Sequence, residues 1–255
     1  MPLEEFLPLQ VYAFLIVFSR LSATIMLVPG IGEAYVPVRI RLLFSLLLTI
    51  IIAPLVSGLL PPEPKSVFRL FEILLAEVLI GTYVGLISRI LLLTLDTVGR
   101  FIALLIGMSN AEVFNPAIST QASLPGLLLT TMGILILFTT NMHHTLIIAV
   151  SDSYTLFPPG IFLPSGDMAF VIARLIADSL RLALQITAPF IVISLVFYMG
   201  LGMLARLMPQ LQIFFISMPL QLAGGLFLFS AVISGLFSIF LEYYGSYLNQ
   251  FISIN

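Results

Sequence analysis

The sequence predicts an all-α, membrane-associated protein built from about six long, kinked apolar helices. Composition is the first observation behind this prediction: of the 255 residues, 60% are hydrophobic and 9% are charged, whereas soluble domains average about 45–50% apolar and about 25% charged residues. The second is the placement of Pro and Gly clusters, which separate apolar stretches of helix length. Together they favour a helical membrane protein over a soluble one.

The same composition excludes several classes of protein. A net charge of −2 offers no basic surface for nucleic acid. The absence of cysteine excludes disulfides, thiolate metal sites and thiol catalysis. The apolar content excludes a disordered chain.

The Pro and Gly clusters give the predicted elements in order. The first helix follows Glu4 and Glu5, without the basic residues that a secretory signal requires, and is expected to remain in the mature chain. No internal repeat or soluble domain is visible, so the chain is predicted to be a single unit, 1–255. The predicted helices cover residues 7–28, 38–60, 67–108, 125–157, 168–205 and 210–248.

The third helix is not predicted to be an ordinary membrane span. A continuous helix over 67–108 would be about 63 Å long, twice the hydrocarbon core of about 30 Å. A charge that faces lipid at mid-bilayer costs about 2.5–3.5 kcal/mol, so these charges are expected to face protein or to lie outside the hydrocarbon. They are Arg69, Glu72, Glu77, Arg89, Asp96 and Arg100.

Helical spacing predicts that several charges pair within their own helix. Asp96 and Arg100 are four residues apart, as are Arg174 and Asp178, and Arg181 follows Asp178 by three. We predict buried ion pairs that hold helix contacts, with a proton relay as the less favoured alternative.

No motif for catalysis, a cofactor or a metal is found, and the protein is predicted not to be an enzyme. His143 and His144 point about 100° apart on a helix and cannot readily chelate one metal, so a packing role is expected. Gly81 and Gly85 form a small-residue motif that fits either tight packing within one chain or a subunit contact.

A mixed polar and apolar stretch, residues 107–125, lies between two strongly hydrophobic helices. Irregular backbone at membrane depth is tolerated only when it is buried in protein or lines a water-filled cavity. The residues alone fit equally well an aqueous connecting loop and a loop that folds into a channel and blocks it.

Four segments in order along the chain resemble the flagellar biosynthetic protein FliR family. Residues 20–42 (RLSATIMLVPGIGEAYVPVRIRL) resemble its N-terminal signature and residues 107–121 (GMSNAEVFNPAISTQ) its central loop. Residues 138–160, with the two histidines, resemble its next helix and loop. Residues 201–219, beginning LGMLARLMPQLQIF, resemble its C-terminal hairpin.

The resemblance implies a subunit of the flagellar type III export gate, in the bacterial inner (cytoplasmic) membrane at the basal body. Its partners would be FliP-like and FliQ-like gate subunits, FlhB-like and FlhA-like export proteins, and unfolded flagellar proteins in transit. A FliR-like chain resembles a FliP-like part, here about 1–200, followed by a FliQ-like hairpin, about 201–255. The helices would form hairpins within this multi-subunit gate, with no cofactor.

The resemblance also implies roles for individual residues. The central loop would plug the closed channel, and the tip of the C-terminal hairpin would contact FlhB or the neighbouring FliQ, with Gly81 and Gly85 added as subunit contacts. The plug residues would be Gly107, Met108, Val113, Phe114, Asn115, Pro116 and Gln121, and the tip residues Pro209, Gln210, Gln212 and Phe214.

Three alternatives stay open at this point. A self-contained secondary transporter would use Arg20, Asp96 and Arg100 near the midplane, although no inverted repeat is visible. The equivalent subunit of a virulence type III secretion system would share most motifs. An intramembrane hydrolase ranks last, because no nucleophile and base are paired.

Overall fold

Seven α-helices make up the computed structural model, which describes residues 3–64, 66–108, 123–160, 165–208 and 213–252. The described residues contain no strand, so the predicted all-α class is confirmed. A short 3₁₀ turn, Ser57–Leu59, follows the second helix. The helices are α1 (Leu3–Ile25), α2 (Val38–Val56), α3 (Val67–Leu105), α4 (Leu124–Thr139), α5 (Met142–Leu156), α6 (Ser165–Leu207) and α7 (Ile213–Ile252).

Length and composition qualify four of these helices as membrane spans. They are α2 with its 3₁₀ turn, α3, and most of α6 and α7. The pair α4 and α5 qualifies when taken together but is bent by 77°, which allows up to five crossings. The protein is therefore a helical membrane protein.

The predicted helix over 125–157 is two helices, and this is the main difference between the predicted and observed elements. Asn141 adopts a left-handed conformation with φ of 60°, between the last residue of α4 and the first of α5. Asparagine tolerates this conformation better than most residues. No Pro or Gly marks the break, so a search for helix breakers passed over it.

Three helices are much longer than a bilayer is thick. The 39 residues of α3 correspond to about 58 Å at about 1.5 Å per residue, close to the predicted length. Helices α6 and α7 contain 43 and 40 residues, and they continue through Pro189 and Pro219 respectively.

The chain forms two compact units that interleave along the sequence. The first, which we call unit 1, comprises Met1–Leu91, Leu137–Leu175 and Tyr244–Asn255. Its core is formed where α1 packs on the first half of α3 and on α5. Fully or almost fully buried side chains there include Ile16, Val17, Leu21, Ile80 and Tyr154.

The second, unit 2, comprises Leu92–Ile136 and Ile176–Tyr243. In it α4 lies against the second half of α3, and α6 and α7 run beside each other, linked by a hydrogen bond between the hydroxyls of Ser179 and Tyr243 (3.2 Å). The predicted boundary near residue 200 lies inside α6 and stays a prediction.

Candidate functional site: the base of the central loop and a buried polar centre

The central loop leaves α3 through a defined helix cap. Gly107 has a φ of 81°, and its amide donates to the carbonyl of Leu104 at 3.2 Å, while the amide of Met108 donates to the carbonyl of Ala103 at 2.9 Å. This pair of bonds is a Schellman motif, which requires a left-handed residue that glycine supplies without strain. The direction in which the chain leaves the helix is therefore fixed.

The loop returns to α4 through a second cap. The hydroxyl oxygen of Ser123 accepts a hydrogen bond from the amide of Gly126 (3.1 Å), and its carbonyl accepts one from the amide of Leu127 (2.8 Å). Serine at this position satisfies amides that the first helical turn would otherwise leave unpaired. Both ends of the loop are thus ordered by local hydrogen bonds.

A glycine contact holds these two helices together near the loop. A methyl group placed on Gly99 of α3 would lie 2.2 Å from the α-carbon of Gly126 in α4, so only glycine allows the two backbones to approach this closely. One helical turn before Gly99, Leu95 similarly occupies the space where Gly133 lacks a side chain. The two helices that flank the central loop are therefore tightly packed against each other.

Asp96 and Arg100 lie near the contact between α3 and α4, at the base of the central loop. Arg100 Nε donates to Asp96 Oδ2 at 2.7 Å. The other carboxylate oxygen of Asp96 lies against the first turn of α4, 2.7 Å from where a methyl group on Gly126 would be. A carboxylate beside a helix N-terminus is stabilised by the unpaired amides there, so Asp96 helps to hold the start of α4.

Gln221 of α7 connects the C-terminal hairpin to the end of α3. Its Nε2 donates to the carbonyl of Leu105 at 2.8 Å and to the hydroxyl of Tyr198 in α6 at 3.0 Å. One turn further along α7, Gly225 packs against Ile106, whose Cγ2 would lie 2.3 Å from an added methyl group. We call this contact the α7 clasp. It contacts α3 in its last turn, just before the central loop begins.

Many of the predicted plug and tip residues lie outside the described residues. Gly107 and Met108 are described and form the cap at the end of α3. Phe214 belongs to the first turn of α7, and its side chain is not described. Those outside the described ranges are Val113, Phe114, Asn115, Pro116, Gln121, Pro209, Gln210 and Gln212.

The most buried charges of the described chain form a polar centre in unit 1. Arg20 and Glu77 are both 0% exposed, and Arg20 Nε donates to Glu77 Oε2 at 2.7 Å while Nη2 donates to Oε1 at 3.1 Å. The guanidinium also donates to the Ser153 hydroxyl (3.2 Å) and the Phe157 carbonyl (2.8 Å), and it stacks 3.9 Å from the centre of the Tyr154 ring. This Arg20 centre joins α1, α3 and α5.

Sequence reasoning missed this pair because it searched for partners three or four residues apart. Arg20 and Glu77 are separated by 57 positions. The available signal was that neither charge has an opposite charge three or four residues away in its own helix, since a fully buried charge requires a partner of opposite sign. A second long-range pair, which is only partly buried, joins Arg89 of α3 to Glu33 in the loop after α1.

The assignment of Gly81 and Gly85 to a subunit interface stays a prediction, and the structure shows what both glycines contact within this chain. A methyl group on Gly81 would lie 2.2 Å from the carbonyl oxygen of Arg20, and one on Gly85 would lie 2.9 Å from that of Thr24. Both glycines are buried against α1 of the same chain. They serve tight packing within one chain, which was the alternative interpretation.

The described residues of this chain do not fully bury the predicted ion pairs. Arg100 is 54% exposed although Asp96 is only 17% exposed. Arg174 and Arg181 are exposed and Asp178 is half-buried. The reason is geometric: these groups lie on faces of α3 and α6 that the other described residues do not fully cover.

The histidine pair lies at the bend between α4 and α5. His143 stacks on Phe138, with ring centres 5.0 Å apart, and touches His144 at 4.1 Å. Its Nδ1 is buried without a hydrogen-bond partner. Among the described residues no group of three metal-ligating side chains occurs, and the contacts of His143 are those of a packed aromatic side chain.

These features define a class of protein: a helical membrane protein whose polar side chains stabilise helix contacts and the base of a long internal loop. The chain belongs to the bacterial export proteins, family 1, whose model matches residues 11–246. The resemblance to the FliR family is confirmed.

Named relatives agree with this assignment. The flagellar biosynthetic protein FliR of Caulobacter vibrioides is 36% identical over 95% of this chain and 96% of its own length. The FliR protein of Bacillus subtilis is 29% identical over 89% of this chain and 88% of its own. The Yop proteins translocation protein T of Yersinia pestis is 27% identical over 61% of this chain and 60% of its own.

Proposed function

We propose that this chain is a structural and gating subunit of the flagellar type III protein export gate in the bacterial inner membrane. With FliP-like and FliQ-like subunits it forms the channel for unfolded flagellar proteins, beside FlhB-like and FlhA-like proteins. Its role is mechanical, without a catalytic step or a cofactor. Family membership and identity over nearly the whole length of a FliR relative support the assignment.

The observation that carries the gating role is the construction at the base of the central loop. A flexible linker needs neither a Schellman cap at one end nor a serine cap at the other, nor a glycine contact that holds its flanking helices together. These features suit a loop that must emerge at a fixed place and direction. In the closed gate, residues 109–122 fill the channel and stop ions, and the passage of substrate displaces them.

Deletion of residues 109–120 tests this role. The shortened chain is expected to assemble with FliP-like and FliQ-like subunits, because both caps and the Gly99 contact remain, and to make the membrane leaky to small ions. Conductance of the reconstituted complex is the measurement. Replacement of the same residues by an equally long Gly/Ser segment should also leak, since it lacks Val113 and Phe114. Unchanged conductance in an assembled deletion complex would exclude a plug.

The equivalent role in a virulence type III system is a second candidate, favoured by the similarity to the Yersinia protein. Complementation separates the two: the chain should restore motility to a flagellated host that lacks its own FliR. Restoration of virulence secretion without motility would reverse the assignment.

The transporter hypothesis loses its specific support. Arg20 uses its guanidinium on Glu77, Ser153 and Phe157, and Asp96 is paired with Arg100, so each charge already has a structural partner. Coupled solute uptake by the purified chain alone would revive that hypothesis.

A further inference from the structure

Unit 1 contains an apolar cavity of about 390 Å³ that opens to the surface of the unit. Its walls come from α1, from the loop after it, from the first three turns of α2, from the end of α4, from α5, and from Tyr244 of α7. Almost all of the lining atoms are carbon. For comparison, an engineered apolar cavity of about 150 Å³ is large enough to stay dry and bind benzene.

Such a cavity is unfavourable both when it is empty and when it is filled with water. An empty cavity costs stability in proportion to its volume, because the atoms that line it lose their contacts. Water is disfavoured because it needs two or more polar partners, and the walls expose very few polar atoms although Thr24 and His143 belong to the lining. In a membrane protein, the abundant apolar molecules are lipid acyl chains.

The dimensions of the cavity match an acyl chain that enters from the membrane surface. Ile40, Phe44 and Leu48 line it at intervals of four residues on α2, a stripe about 12 Å long at about 1.5 Å per residue, and Val36 lines it just before the helix begins. The stripe starts where the candidate span Val38–Leu59 starts. It therefore runs from the interface through most of one leaflet, which is about half of the 30 Å hydrocarbon core.

The start of the stripe carries positive charge. Arg39 lies next to Ile40 in the first turn of α2, is exposed, and has no hydrogen bond or ion pair within the described part of the chain. Arg41 is already committed to the carbonyl oxygens of Val36 and Glu33. The carboxylate of Glu33, the acidic residue nearest to Arg39 in the sequence, is neutralised by Arg89.

We propose that this cavity binds one acyl chain of an anionic phospholipid, whose phosphate pairs with Arg39. The chain fills the space between α1, α2 and α5, and Arg39 selects the headgroup at the interface. Such a lipid would stabilise the packing of α2, which buries few of its own side chains. The site is independent of the gating role.

Bromine quenching of a single tryptophan tests this site, because the native chain contains no tryptophan. Phe44→Trp places the fluorophore in the cavity, and Leu47→Trp, 61% exposed in the parent on the same helix, serves as the matched control. The full chain is reconstituted in vesicles of equal phosphatidylglycerol and phosphatidylcholine, with one of the two brominated in each sample. If Phe44→Trp does not fold, Ile147→Trp probes the same cavity from α5.

The cavity tryptophan should show a roughly fivefold preference for brominated phosphatidylglycerol, the order expected for one arginine beside an anionic headgroup. Arg39→Gln should abolish this preference and leave the Leu47→Trp control unchanged. Equal quenching by both lipids would mean annular lipid only and would overturn the site. Quenching of the control without quenching of the cavity probe would show that protein fills the cavity, and would overturn it too.

Discussion

At the scale of single residues, the Arg20 centre sets the strongest constraint on the fold. Removing two charges from water costs several kcal/mol per ion unless geometry and hydrogen bonds compensate. Here they do: Glu77 receives two hydrogen bonds from Arg20, and two further N–H groups of the guanidinium donate to Ser153 and Phe157. Because these partners come from α1, α3, α5 and the residue after α5, a single side chain fixes how three helices meet.

Glu77→Gln should lower the free energy of unfolding by about 3–5 kcal/mol, because it leaves the Arg20 charge buried without a counter-ion. The measurement is helix loss in a denaturing detergent titration, followed by circular dichroism. Glu72→Gln is the matched control, since Glu72 forms an exposed pair with Arg69 and should cost at most about 1 kcal/mol. Equal losses in the two variants would mean that the buried pair contributes nothing specific. The apolar pair Arg20→Met with Glu77→Leu should recover much of the loss, because no unpaired charge remains.

At the scale of elements, the features that depend on residues close together in the sequence were predicted, and those that depend on distant residues were not. Helix bounds set by Pro and Gly were predicted within a few residues, and so was the i,i+4 pair of Asp96 and Arg100, because both are local. The break at Asn141 carries no helix-breaking residue, and the pair of Arg20 with Glu77 joins two distant helices. Neither could be read from one sequence, because three-dimensional packing decides both.

The same difference between local and long-range features explains which glycine contacts were predicted. The motif at Gly81 and Gly85 was recognised as a close helix contact, but its partner, α1, could not be identified from spacing. Gly99 and Gly126 form no paired-glycine motif in the sequence, since neither has a second glycine three or four residues away in its own helix. Their contact emerges only when α3 and α4 pack together at the base of the central loop.

The α7 clasp gives the element-scale prediction. Gln221→Leu preserves volume but removes the donor that satisfies the Leu105 carbonyl, and should cost about 1–3 kcal/mol locally. Amide hydrogens of residues 106–108 should therefore exchange faster, as measured by mass spectrometry, and the assembled complex should leak ions slightly. The control is Ser230→Ala in the same helix, whose hydroxyl bonds only to the Phe227 carbonyl one turn away. Unchanged exchange at 106–108 in Gln221→Leu would show that the clasp does not order the start of the loop.

At the scale of the whole molecule, apolar surface exceeds what the chain can cover. Only 11% of the most apolar window of α6 is buried, and side chains such as Val196 (62% exposed) and Met203 (71% exposed) lie open. Exposed apolar area of this extent marks either lipid contact or subunit contact. The charges on the outer surface of α6, Arg174 and Arg181, favour subunit contact, because charges that face hydrocarbon are costly.

A nitroxide on a single cysteine separates these two interpretations, and the native chain has no cysteine to remove. Val196→Cys, labelled in otherwise cysteine-free subunits, should show high oxygen accessibility in the chain alone, because oxygen concentrates in hydrocarbon. Co-assembly with FliP-like and FliQ-like subunits should lower that accessibility several-fold, since protein then replaces lipid at α6. Leu182→Cys in the same helix is the control, because Leu182 is buried within the chain and should stay inaccessible in both states. If Val196→Cys stayed equally accessible in the assembled complex, α6 would be a lipid-facing span, and the assembly surface would have to lie on α2 or α7.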